Sequence, residues 1–317
     1  MDRLDRLQRR HRVLGFPIGV LYKFFDDAGG YMAALLTYYA FVCVFPLLLI
    51  IATILSVVLG NNATLQQQIL DSALNQVPNL SKVIGDDPKS LSGGPAGVVV
   101  GAVVSVYGVL GVGNALQYAM NTIWGVPRNS RPNPFLTRAR SLLIVPLGLL
   151  VVIATTVLSS INAAADFGQA TKWLVLALTV LVNTLVVYLV YRIGVGVADR
   201  HHLVAGSFVA AILIQLLQIY GVAYVGRVVR HASVTNAVFG FVLGLLAFIY
   251  LVALILVLCA EVNVVVAKRL FPRALLTPFT DNVSLTDADI RQYGSQARAT
   301  RTKGYQRIEV VFEDRKE

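Results

Sequence analysis

Charge is what this sequence has least of. Only 14% of its 317 residues are Asp, Glu, Lys or Arg, where a typical soluble domain carries about 25%. The shortage gathers in long uncharged runs, and 56% of the chain is hydrophobic. A soluble globular domain is thereby excluded, and so is a β-barrel, whose segments of about 10 residues would alternate apolar and polar. Cysteine is nearly absent: Cys43 and Cys259 both fall in apolar runs. They read as free thiols acting as small hydrophobes, not as a disulfide framework or a metal site.

Catalytic signatures are missing too. There is no G-x-x-x-x-G-K-[ST] phosphate loop, no G-x-S-x-G elbow and no H-E-x-x-H. Of the four histidines, His201 and His202 are adjacent and would point about 100° apart on a helix, which is poor ligand geometry. We expect no enzyme activity, no metal and no cofactor. The formal charge of +10 comes from 27 Lys and Arg less 17 Asp and Glu. These cations flank apolar runs, so the expected partner is anionic lipid headgroups and not nucleic acid.

What is present is a series of apolar stretches near the 20 or so residues that a helix needs to cross hydrocarbon. They run about 33–59, 96–123, 142–164, 173–190, 203–225 and 234–266. The first is too long for a signal-peptide core and is expected as an uncleaved span. The fold class is therefore all-α: a polytopic membrane protein of six transmembrane helices. Residues 1–30 form an amino-terminal segment, 31–267 the membrane domain and 268–317 a soluble tail. The amino-terminal segment, the loops after spans two and four, and the exit at Lys268, Arg269 and Arg273 are basic. By the positive-inside rule both termini are cytoplasmic.

Several features sit on this frame. Pro17 suits the first turn of a short helix to Asp27. Its Leu21, Phe24 and Phe25 either lie in the interface plane with Lys23 reaching headgroups or form a plain elbow. Pro46 should kink span one. Gly97 and Gly101, with Ser105, form a small-residue stripe for close helix packing, and Gly240 and Gly244 read as packing residues on span six. A helical piece is expected over 65–80 in the long first loop. In the tail, Thr286 with Asp289 marks a helix start, and 308–312 could form a short strand.

Glu261 is the one acidic residue deep in a span, about 10 Å below the boundary at Lys268 given 1.5 Å per residue. It is either a coupling carboxylate or one half of a structural ion pair with Arg192, Arg140 or another cytoplasmic arginine, with Asn263 nearby. Tyr38, Tyr39, Asn114, Asn121 and Gln215 either line a polar path or bond helix to helix. Arg227 and Arg230 break the charge pattern on the outer side, as an anion-binding rim or as tolerated charges.

The segments AALLTYYAFVCVFPLLL (Ala33 to Leu49), NALQYAMNTIWG, the Arg138 to Arg140 region and FGFVLGLLAFIY…AEVN together resemble the YihY / virulence factor BrkB family of bacterial inner-membrane proteins, in its YhjD-like branch. The resemblance covers about residues 15 to 270 and implies six spans in a bacterial plasma membrane. It brings two functional expectations. One is movement of lipids or lipid-linked envelope components. The other is a tRNA-processing ribonuclease, which the missing metal cluster opposes. The sequence thus points to a transporter or flippase-like protein for an amphipathic anionic substrate. The alternative is a non-transporting scaffold of the envelope machinery, with a homo-oligomer as a further option. An intramembrane nuclease or hydrolase ranks last.

Overall fold

Apolar runs without water must pair their peptide groups internally, and the helix does so within one segment. The computed structural model describes residues 5, 8, 12–58, 94–144, 147, 169–195, 200–230, 234–277, 280 and 283–312. The described residues include eight α-helices of more than ten residues, besides two short 3-10 helices (Arg128–Ser130 and Arg200–Leu203): α1 (Arg12–Asp26), α2 (Gly29–Val58), α3 (Gly94–Ile123), α4 (134–144), α5 (Gln169–Gly194), α6 (Val204–Arg230), α7 (Val234–Lys268) and α8 (Asp287–Ala299). Three segments among the described residues are long and apolar enough to cross a membrane: Val103–Ile123, Trp173–Gly194 and Val242–Lys268. Gly29–Val44 and Val204–Gln218 are shorter apolar helices. The expected third span begins in α4; the rest of it, and the expected helix over 65–80, lie outside the described residues.

The longest helix, α7, is the axis of the bundle. It packs against α1, α2, α3 and α6, while α5 packs on α6 and α3. Val257, Ala260, Val264 and Val265 of α7 meet Met32 and Leu36 of α2, Met120 and Ile123 of α3, Tyr191 of α5 and Ala210 of α6 in one buried core. The backbones come close where side chains are missing. A Cβ at Gly111 would stand 2.1 Å from the Tyr39 ring, and one at Gly206 would stand 2.1 Å from the Cys259 carbonyl oxygen. These sites lie further along the helices than the stripe at Gly97 and Gly101. Gly101 and Gly244 are half-buried, and a Cβ at Gly240 would meet nothing within 4 Å. The surroundings of Gly97 and Pro46 lie outside the described residues.

Two expectations change. Residues 308–312 are irregular, and no strand occurs among the described residues. A strand needs partners to be stable, and the tail offers none there. Lys23 does not reach headgroups: its side chain is 2% exposed and points into the bundle.

Candidate functional site

The site is built where α1, the ends of α3 and α7, and the tail meet. α7 carries Glu261 into the core, fully buried. The cation facing it is a lysine of α1: Lys23 Nζ lies 3.2 Å from Glu261 Oε2. One helical turn on, Asp27 forms a second, tighter ion pair with the same ammonium. Lys23 also donates to the Ile123 carbonyl oxygen at 3.0 Å. That carbonyl ends α3, where the last carbonyls have no partner within the helix and the dipole favours a cation. One ammonium therefore replaces its lost water with acceptors from three helical segments. Burial pushes its pKa down, but Glu261 and Asp27 outweigh burial and leave it above the ordinary lysine value.

The tail closes the other side. Asp27 Oδ1 accepts from Gln296 Nε2 at 3.0 Å and Gln292 Nε2 at 3.3 Å, both on α8. Arg273, fully buried, pairs with Asp289 and reaches Asp26 Oδ2 at 2.8 Å. Its guanidinium also lies 5.4 Å from the centre of the Tyr293 ring. Burial raises the Asp26 carboxyl above its usual value although Arg273 draws it down. Lys268 Nζ donates to the Trp124 carbonyl oxygen at 2.6 Å and to Ser295 Oγ at 3.3 Å. The amino-terminal residues join in: Gln8 donates to the Arg273 carbonyl oxygen, and Tyr22 to that of Leu275. The cluster holds three cations (Lys23, Lys268, Arg273) and four carboxylates (Asp26, Asp27, Glu261, Asp289), a formal charge of 3 − 4 = −1. Among the described residues neither Glu261 oxygen has a hydrogen-bond partner, and Oε2 has only its ion-pair contact with Lys23. A buried carboxylate group with one negative charge in excess is chemically able to take up a proton.

The other sequence-selected residues are placed differently. Glu261 meets a lysine rather than Arg192 or Arg140, and Asn263 Oδ1 accepts from the Gly206 amide at 2.7 Å, tying α7 to α6. Asn121 donates to the Gln117 carbonyl oxygen of its own helix at 2.7 Å. Asn114 Oδ1 accepts from Ser141 Oγ at 3.1 Å, and Gln117 Nε2 donates to the same hydroxyl at 3.0 Å, linking α3 to α4. Tyr39 stands edge-on to Tyr38 and tilted against Tyr107. Gln215 Oε1 is buried without a hydrogen-bond partner among the described residues. Arg227 and Arg230 fall in the last turns of α6, and their side chains lie outside the described residues. Sequence reasoning missed Lys23, Asp26, Asp27, Arg273, Asp289, Gln292 and Gln296 as members of one site. The visible signal was Lys23 four residues before Asp27, an ion-pair spacing in an otherwise apolar stretch.

Among the described residues no three His, Cys, Asp or Glu side chains gather into a metal-binding group. The family model of virulence factor BrkB matches residues 20–281. The chain belongs to the virulence factor BrkB family. The matched range takes in Lys23, Asp26, Asp27, Glu261, Lys268 and Arg273, while Asp289, Gln292 and Gln296 of this BrkB-family protein lie beyond it. The inner membrane protein YhjD of Escherichia coli strain K12 is 24% identical over 277 residues, which cover 80% of this chain and 81% of that protein. No solved structure matches. The BrkB-family chain is thus a membrane protein, in keeping with its apolar helices.

Proposed function

We propose that this BrkB-family protein moves an amphipathic, anionic lipid or envelope component across a bacterial plasma membrane. In this reading six helices span the bilayer with both termini in the cytoplasm. The observation that carries it is Glu261 sharing the Lys23 ammonium with Asp27 while, among the described residues, neither of its oxygens accepts a hydrogen bond. Charges this deep are expensive and usually serve function. Protonation of Glu261 would free Lys23 for Asp27 alone and loosen the contact between α1 and α7. Arg227 and Arg230 would attract the anionic headgroup from the outer side. Tyr38, Tyr39, Asn114, Asn121 and Gln215 would line its path.

The even number of crossings has independent support. Gln8 and Tyr22 bond to Arg273 and Leu275, which is what two chain ends on one side of the membrane would allow. The scaffold alternative is favoured by a different observation: the Asn114 and Asn121 amides are already paired within α3 and α4. Proteoliposomes holding a fluorescent phosphatidylglycerol analogue separate the two. Transport predicts rapid lipid exchange between leaflets with wild type and a clear loss with Glu261→Gln. Equal rates in both would remove Glu261 from the mechanism, and no exchange with wild type would favour the scaffold.

A further inference from the structure

One side of α1 is turned away from the bundle. Val13, Leu14, Pro17, Leu21 and Phe25 are exposed, Val13 at 85% and Phe25 at 73%. At 100° per residue they share an arc about 120° wide. Among the described residues this arc holds no charge. The opposite side is fixed. Lys23 is held in its ion pairs, Val20 lies in the core at the border of the arc, and within the arc only Phe24, in the last turn, is buried. The Phe16 ring stands edge-on to Phe271 at 5.5 Å. A Cβ at Gly19 would come 3.0 Å from the Leu270 carbonyl oxygen. The helix cannot turn its apolar side inward without losing all of these.

We infer that α1 lies in the plane of a membrane leaflet, its Val13–Phe25 side sunk to the boundary between headgroups and acyl chains. The occupant of that surface is lipid because the surface continues into a membrane helix. Only the turn at Asp27 and Ala28 separates α1 from α2, whose Gly29–Val44 stretch is apolar. There Tyr31, Leu35 and Tyr38 are exposed along one face. Tyrosine is enriched at the membrane interface because its ring is apolar and its hydroxyl wet. The 15 residues of α1 reach about 22 Å, too short to cross a hydrocarbon core of about 30 Å. An amphipathic helix of this kind lies on the bilayer rather than through it. The inward lysine is the unusual part. Interfacial helices generally hold their cations toward water, whereas this one directs its cation to the core and anchors itself by it.

The inference does not depend on the transport reading, and its test uses no transport. Phe25→Cys, Leu21→Cys and Val13→Cys are labelled singly with an environment-sensitive fluorophore in the full-length protein and placed in phosphatidylglycerol-containing vesicles. Lys303→Cys, on an exposed stretch of the tail, is the aqueous control. The wild-type protein sets the labelling background, since Cys43 and Cys259 are both buried. Labels on α1 should emit further to the blue than the control. Lipids carrying a nitroxide near the headgroup should quench them, and iodide should not. Iodide quenching equal to the control would overturn the inference. Disulfide-linked dimers at these positions under mild oxidation would overturn it too, and would assign the surface to a second copy of the chain.

Discussion

Lys23 holds an ammonium group that has lost nearly all its water, and oxygen atoms of Asp27, Glu261 and Ile123 stand in its place. A buried pair of this kind adds little net stability when made, yet removing one partner strands the other without compensation. The two partners of this pair are not equivalent. Lys23→Met leaves both Asp27 and Glu261 as carboxylates with no ammonium between them, and should cost roughly 3–5 kcal/mol. Glu261→Gln leaves Lys23 with Asp27 and the end of α3, and should cost less. The double variant Lys23→Met/Glu261→Gln should be more stable than the sum of the two losses implies, with a coupling of about 0.5–3 kcal/mol. Unfolding of the detergent-solubilised protein measures all three. Strict additivity, or a larger loss for Glu261→Gln than for Lys23→Met, would contradict the ion pair. In the sequence near Lys23 only its four-residue spacing from Asp27 hinted at this arrangement. A lysine on an amphipathic helix reads alike whether it snorkels to headgroups or turns inward, because its direction is set by residues as distant in sequence as Ile123 and Glu261.

The element that holds this cluster shut is α8, thirteen residues long. It starts with a capping box: Thr286 Oγ1 accepts from the Asp289 amide, while the Asp289 carboxylate accepts from the Thr286 amide at 2.9 Å. The same carboxylate pairs with Arg273 and accepts from the Ala274 amide at 3.1 Å. The two cap residues should therefore differ in effect. Thr286→Ala removes one cap and should cost about 1 kcal/mol. Asp289→Asn loosens the helix start and also leaves the buried Arg273 with Asp26 alone, so it should cost several times more, up to the roughly 3–5 kcal/mol of a broken buried pair. Limited proteolysis across residues 276–300 should show faster release of the tail in Asp289→Asn than in Thr286→Ala. Equal rates would mean that Asp289 acts only as a cap. The start of α8 was legible because a capping box is written in four consecutive residues. Helices α2, α3, α5, α6 and α7 were legible because apolar length alone demands a helix in lipid. The strand expected over 308–312 failed because a short run of strand-favouring residues says nothing about a neighbour to pair with. The joining of α1, α7 and α8 through Asp26, Asp27, Arg273 and Gln292 was hidden because each polar residue alone looks like an ordinary surface group.

At the scale of the whole molecule, contact between the chain ends constrains topology. The Leu275 amide donates to Asp5 Oδ1 at 3.1 Å, and Gln296 Nε2 to the Asp26 carbonyl oxygen at 3.0 Å. Segments that share such bonds are expected on one side of a bilayer, so the contact predicts an even number of crossings between them. Exposed arginines mark the same end: Arg128, Arg138, Arg269, Arg291 and Arg298. Cytoplasmic loops carry the excess of Lys and Arg, so this end should face the cytoplasm. Single cysteines and a membrane-impermeant maleimide test both statements. In intact cells Ser72→Cys, in the loop that six spans would place outside, should react. Asp2→Cys and Lys303→Cys should react only after the membrane is opened. The inverse pattern would reverse the orientation and move Arg227 and Arg230 to the cytoplasmic side, removing their role toward an outer headgroup. Reaction of the two terminal positions from opposite sides would be worse for the structure itself, because Gln8, Tyr22 and Asp5 could not then reach Arg273 and Leu275.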